Sequence, residues 1–259
     1  MIYHVSIIQP NTHWEDIDKN LSDLEEKISR LPKVTNSVLL PEMFSTGFSM
    51  NPSKFAETMQ GNTIGWMHKI ARNSGFAIGG SLIVRDGAKT FNRFAWVEPT
   101  GKISYYDKRH LFVLERESGA YNAGNQRVVI RHGVLRILLA ICYDLRFPVW
   151  LRNQNDYDAI FLVANWPSPR HEVWQKLLYA RAVENQCYLA AVNRVGTDGN
   201  GLMYLGESVV IDPKGQLLHM ASNDSEELFT VGLDLEELKR FREIFPVWMD
   251  ADGFQLKID

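Results

Sequence analysis

Three apolar runs of strand length stop abruptly on polar or reactive residues. Ser37-Val38-Leu39-Leu40 runs into Pro41-Glu42, Leu135–Ile141 into Cys142, and residues 157–164 into Asn165-Trp166. Such runs suit strands of a covered sheet, because Ile, Leu and Val leave neither face for water. Helical spacing lies around and between them. Ile17, Leu21, Leu24 and Ile28 recur three and four apart and predict a helix over residues 14–30, capped by Thr12 or Asn11 and stopped by Pro32. Ile64, Met67 and Ile70 predict a second over 63–73, closed by Gly75. Further helices are expected over 171–185 and 235–244, with a short one over 149–154. Buried strands alternating with helices specify an α/β fold with helices outside the sheets.

The remaining segments extend the sheets. Strands at 76–84, 91–97 and 103–106 with turns between them make a meander, and 207–211 with 216–220 a hairpin around Asp212-Pro213-Lys214-Gly215. Residues 107–126 lack a clean period and form a long connection, and 196–201 read as a polar loop. With no linker or low-complexity tract, one domain over 1–259 is expected, with 246–259 as a C-terminal tail.

A net charge of −3 gives no reason to expect nucleic acid or an anionic membrane as partner. The chain opens on strand-like residues and has no apolar run long enough to cross a bilayer, so neither a secretory signal nor an anchor is expected. Two distant cysteines make neither a disulfide framework nor a zinc pattern. A cytoplasmic, reduced protein follows, with its thiols free for chemistry.

Cys142 stands where an open α/β sheet places reactive groups, at the carboxyl end of a strand. Taken alone, it fits a core thiol equally well. Glu42 follows its own buried strand, where poor solvation pushes a carboxyl toward a useful general base; a helix cap or surface acid is the plainer alternative. Lys108 follows Tyr105-Tyr106, with a solvated charge run as its alternative. Nucleophile, base and cation are what thiol-based acyl transfer requires. A Cys142–His110 pair is a further possibility. Cys187, beside apolar residues, reads as core.

These residues lie in three ordered motifs: Leu39-Leu40-Pro41-Glu42-Met43-Phe44, Tyr106-Asp107-Lys108-Arg109-His110-Leu111-Phe112 and Ile141-Cys142-Tyr143-Asp144-Leu145-Arg146-Phe147. Together they resemble the nitrilase, or carbon–nitrogen hydrolase, superfamily over nearly the whole chain, including Arg181-Ala182-Val183-Glu184-Asn185. The cysteine motif through Pro148 and Val163-Ala164-Asn165-Trp166-Pro167 are similar to its bacterial omega-amidase branch. The resemblance implies a four-layer α-β-β-α sandwich, a homodimer or larger homo-oligomer, and no cofactor or metal. It implies hydrolysis of the terminal amide of a small 2-oxo dicarboxylate such as 2-oxoglutaramate, through a cysteine thioester.

By the same resemblance Cys142 is the nucleophile, Glu42 the general base and Lys108 the oxyanion-stabilising cation. Glu117 matches a second glutamate, with Glu115 the competing candidate and Gly124 downstream favouring Glu117. Arg146 matches a carboxylate anchor, and its planar fork suits that task. The Tyr143 N–H is expected in the oxyanion site and Trp166 as an apolar wall or core residue. Asn165, Arg181 and Glu184 either line the site or brace it. Deaminated glutathione amidase, N-carbamoyl amide hydrolase and nitrilase activities share the same triad, and a catalytically idle binding module is the distant alternative.

Overall fold

The computed structural model describes residues 1–115 and 117–257. Strand β1 (Ile2–Gln9) leads to α1 (Ile17–Ile28), β2 (Ser37–Leu39), the single turn α2 (Pro52–Phe55) and α3 (Asn62–Ser74). An antiparallel meander follows: β3 (Ala77–Asp86), β4 (Lys89–Val97) and β5 (Ile103–Asp107). One helical turn, α4 (Glu117–Ala120), lies in the long connection to the second half. There β6 (Val129–His132), β7 (Leu135–Ile141), α5 (Pro148–Leu151), β8 (Ala159–Val163), α6 (His171–Glu184) and β9 (Tyr188–Val192) come in order. The chain ends with the pairs β10 (Val195–Thr197) with β11 (Met203–Leu205) and β12 (Val209–Ile211) with β13 (Leu217–Met220), then β14 (Glu227–Asp234) and α7 (Leu235–Ile244).

Two six-stranded sheets result, ordered β14-β1-β2-β3-β4-β5 and β13-β12-β9-β8-β7-β6. The buried runs are their parallel centres, β1-β2-β3 in one and β7-β8-β9 in the other. Val5, Ile7 and Trp96 of the first sheet share one core with Ile137 and Phe161 of the second, the Trp96 and Phe161 rings 5.9 Å apart. Leu21 and Leu24 of α1 and Ile64 and Met67 of α3 pack against Val38 and Leu40 on the first sheet's other side. Trp174, Leu178 and Ala182 bury α6 against the second. This is the expected α-β-β-α sandwich.

The first helix starts later than its apolar spacing suggests. Glu15 occupies the left-handed region (φ 54°) with its N–H on the Thr46 carbonyl, so the helical backbone cannot begin there. Asp16 is the cap, accepting from the Lys19 N–H at 3.1 Å, in place of Thr12 or Asn11. The short helix expected over 149–154 begins at Pro148 instead, whose locked φ suits a first helical position. Within the polar segment 196–201, Gly196 and Thr197 finish β10, and the residues after them form the loop of its hairpin with β11. Asp198 accepts from the Asn200 and Leu202 N–H groups, and Gly196 and Gly201 supply positive φ on either side. Among the described residues, no helix is long and apolar enough to cross a membrane.

Candidate active site

Each sheet delivers its reactive groups just past a strand end. Glu42 follows β2, Lys108 follows β5, Cys142 follows β7 and Asn165 follows β8. β7 and β8 are parallel neighbours with Ile141 opposite Val163, which sets the Cys142 turn beside Asn165. Both Met43 and Cys142 have φ of 44°, a left-handed conformation that a residue with a Cβ holds only at a cost on the order of 1 kcal/mol. At the cysteine, the Ile141 N–H donates to Asp144 Oδ2 at 3.0 Å and ties the turn down.

Lys108 and two carboxylates form a buried cluster. Lys108 Nζ donates to Glu42 Oε1 at 2.8 Å and to both oxygens of Glu117 at 3.0 Å. Asn92, inward on β4, donates through Nδ2 to Glu42 Oε1 at 2.7 Å and Glu117 Oε1 at 3.3 Å. The Phe112 N–H donates to Glu117 Oε2 at 2.6 Å. Asn165 grips Glu42 twice, its N–H on Oε2 at 2.8 Å and its Nδ2 on the backbone carbonyl at 2.6 Å. The Cys142 thiol lies 3.8 Å from the Asn165 carbonyl. Glu117 is thus the second glutamate of the cluster; the Glu115 side chain lies outside the described residues.

Burial of this many ionisable groups moves their proton affinities. Desolvation raises the Glu42 carboxyl, Glu117 adds like-charge repulsion, and Lys108 opposes both without reversing them. Burial works to lower Lys108, but Glu117, Glu42 and Cys142 together outweigh it and hold the ammonium protonated. The Cys142 thiol is pushed well up by burial and by Glu42, with Lys108 pulling the other way. The resting state is therefore a thiol beside a base of raised affinity. A proton can pass from sulfur to carboxylate as sulfur attacks.

Cys142 opens onto a recess whose lining also includes the buried Lys108. Its walls include Tyr143, Arg146, Asn165 and Trp166, all named from the sequence. The Arg146 guanidinium lies 5.2 Å from the Trp166 ring centre. Trp166 is both wall and core, since its ring also packs 5.4 Å from Trp174. Asn165 both lines the recess and braces Glu42. Arg181 braces only: its Nε donates to the Leu145 carbonyl at 3.0 Å and its Nη1 to Glu184 at 2.9 Å, and neither residue reaches the recess.

His110 does not pair with the thiol. Its Nδ1 is 2.7 Å from Asp144 Oδ1, and its ring stacks on Phe147 at 3.6 Å. Asp144 also accepts from the Tyr106 hydroxyl at 2.8 Å, so this carboxylate fastens the lysine turn to the cysteine turn. Asn92, Phe48, Phe112, Arg170 and Tyr204 were not singled out from the sequence. Asn92 had one signal, a polar residue at an inward position of an apolar strand. Tyr204 reaches the recess from β11, whose pairing with β10 has no period or turn signature in the sequence.

The sequence model of the carbon-nitrogen hydrolase family matches residues 4–243. The chain is 42% identical to the omega-amidase YafV of Escherichia coli strain K12 over 97% of its own length and 98% of that protein's. It is 32% identical to the 2-oxoglutaramate amidase of Bacillus subtilis strain 168, over 96% and 98% of the two chains. The crystal structure of XC1258 from Xanthomonas campestris, a CN-hydrolase superfamily protein with an arsenic adduct in its active site, superposes with a TM-score of 0.96 at 40% identity, over 99% of this chain and all of that one.

Proposed function

Because the chain belongs to the carbon–nitrogen hydrolase family, we propose that it hydrolyses the terminal amide of a small 2-oxo dicarboxylate monoamide of the 2-oxoglutaramate kind, releasing ammonia. The observation that carries the reading is the meeting of Cys142 and Lys108 in one recess, with Glu42 buried against Lys108 and Arg146 in the recess wall. Omega-amide hydrolysis by the similar E. coli and B. subtilis proteins supports it.

The reaction runs in two halves. Sulfur attacks the amide carbon as Glu42 takes the thiol proton, forming a tetrahedral intermediate. The Lys108 ammonium and the Tyr143 N–H hold its oxyanion; one such donor is typically worth about 3 kcal/mol. Glu42 then returns the proton to the leaving nitrogen, the C–N bond breaks, ammonia departs and a thioester remains. Glu42 next removes a proton from water as it adds to the thioester, and the collapse of that intermediate frees the acid and the thiol. Glu117 keeps Lys108 charged and in place. Arg146 binds the far carboxylate and so fixes which amide meets the sulfur.

Ammonia release from 2-oxoglutaramate, 2-oxosuccinamate and an aliphatic nitrile tests the assignment. Turnover of the two 2-oxo amides with little on the nitrile is expected. Preference for the nitrile, or release from neither amide, overturns it.

A further inference from the structure

We propose that Arg170 is a specificity-determining residue, the second guanidinium of a two-arginine anion site that takes the 2-oxo acid end of the substrate and repels an α-ammonium there. The inference rests on the amidase reading above and extends it to a choice between 2-oxo acids and amino acids.

Arg170 lines the same recess as Arg146 and Cys142. Its guanidinium lies 4.9 Å from the Phe112 ring centre, as that of Arg146 lies 5.2 Å from the Trp166 ring centre. An arginine stacked on an aromatic face keeps its N–H edge available for an anion. The two are linked through Trp166, whose ring carries Arg146 while its indole N–H donates to the Arg170 carbonyl at 2.9 Å. The Arg170 backbone is further fixed by its N–H on the Pro167 carbonyl at 3.0 Å, in a turn stiffened by Pro167 and Pro169. The backbone that carries the guanidinium is therefore already in place before substrate arrives.

The charge balance of the lining gives the selectivity. Among the described residues, the walls present Lys108, Arg146 and Arg170 and no carboxylate. Lys108 is already committed to Glu42 and Glu117. That leaves two guanidinium groups without a neutralising acid in the lining. A carboxylate with an adjacent carbonyl oxygen satisfies both forks, whereas an α-ammonium in that position meets like charge from two sides.

The test compares kcat/KM for 2-oxoglutaramate, glutaramate and glutamine, which share one ω-amide and one carboxylate and differ at carbon 2. Arg170→Gln is expected to lower the 2-oxoglutaramate to glutamine ratio about tenfold or more, chiefly through KM for the 2-oxo acid. Arg170→Lys, which keeps the charge, should restore much of that ratio. Equal scaling of all three substrates by Arg170→Gln overturns the proposal, even where wild-type turnover of 2-oxoglutaramate upholds the amidase reading. A second readout needs no turnover: 2-oxoglutarate should protect Cys142 from iodoacetamide better than glutamate does, and Arg170→Gln should erase the difference. Equal protection by the two acids in the wild type overturns the proposal whatever the enzyme hydrolyses.

Discussion

The Asn92 side-chain amide donates to Glu42 Oε1 at 2.7 Å, on the same carboxylate oxygen that Lys108 Nζ reaches at 2.8 Å. Asn92 is fully buried, and its second contact, to Glu117, makes it the neutral counterpart of Lys108 between two acids. Removing a donor from a buried charged acceptor costs about 1–3 kcal/mol. Asn92→Ala should therefore lower kcat about tenfold or more, with a smaller effect on KM. Asn92→Asp, which adds a third acid to one cation, should be worse. Steady-state kinetics decide, and unchanged kcat in both variants removes Asn92 from the machinery.

The raised proton affinity of Glu42 sets a pH dependence. Glu42 must be ionised to accept the thiol proton, so kcat/KM should fall with decreasing pH through a pKa above the ordinary carboxylate value of 4.5. Glu117 contributes to that rise by like charge, and it also shares Lys108. Glu117→Gln removes both influences, and each acts in the same direction. The acid limb should move to lower pH even as the maximal rate falls. An upward or absent shift contradicts the assignment of that limb to Glu42.

Thiol chemistry separates the two cysteines. Burial raises both thiols, but Cys142 is half-buried, faces the recess and has Glu42 beside it as a base, whereas Cys187 is fully buried and lies outside that recess. Iodoacetamide should label Cys142 and spare Cys187 in the folded protein. During turnover, intact-mass measurement should show an acyl adduct that Cys142→Ala lacks. Activity retained in Cys142→Ala ends the thioester mechanism.

Arg146 should act on binding rather than on chemistry. Arg146→Ala is expected to raise KM for 2-oxoglutaramate on the order of 10–100-fold, the worth of a charge-assisted hydrogen bond, and far less for a neutral amide. Lysine at this position should recover only part of the loss, because it lacks the planar fork. Equal KM changes on both substrates would mean that Arg146 does not read the carboxylate.

Gly124 protects the position of Lys108 by having no side chain. A Cβ there would lie 2.1 Å from the Asp107 carbonyl oxygen, and that obstacle is backbone. The Gly124 N–H also donates to the Lys108 carbonyl at 2.9 Å. Gly124→Ala must displace the end of β5, at about 1–3 kcal/mol of strain. Melting temperature and kcat should fall together. A loss of stability with kcat intact would show that the displacement stops short of Lys108.

Local sequence determined the strands and helices of this protein and the ends at which chemistry could sit. The runs before Glu42, Cys142 and Asn165 are buried strands because apolar residues on both faces exclude water, and α3 ends at Gly75 because glycine takes the left-handed cap (φ 79°) at low cost. Motif order brought in Lys108, Glu117 and Arg146. Only the tertiary structure decided which alternatives hold: Asp16 rather than Thr12 or Asn11 as helix cap, Glu117 as the acid on Lys108, and Asp144 rather than the thiol as partner of His110. Asn92 and Arg170 also became visible only there. Most of these turn on contacts between separate segments: Glu15 bonds Thr46 just ahead of the Asp16 cap, His110 meets Asp144, and Glu42 and Asn165 meet across 123 residues. Propensity and period act within a turn or a strand, whereas a hydrogen bond between sheets is set by how the sheets pack.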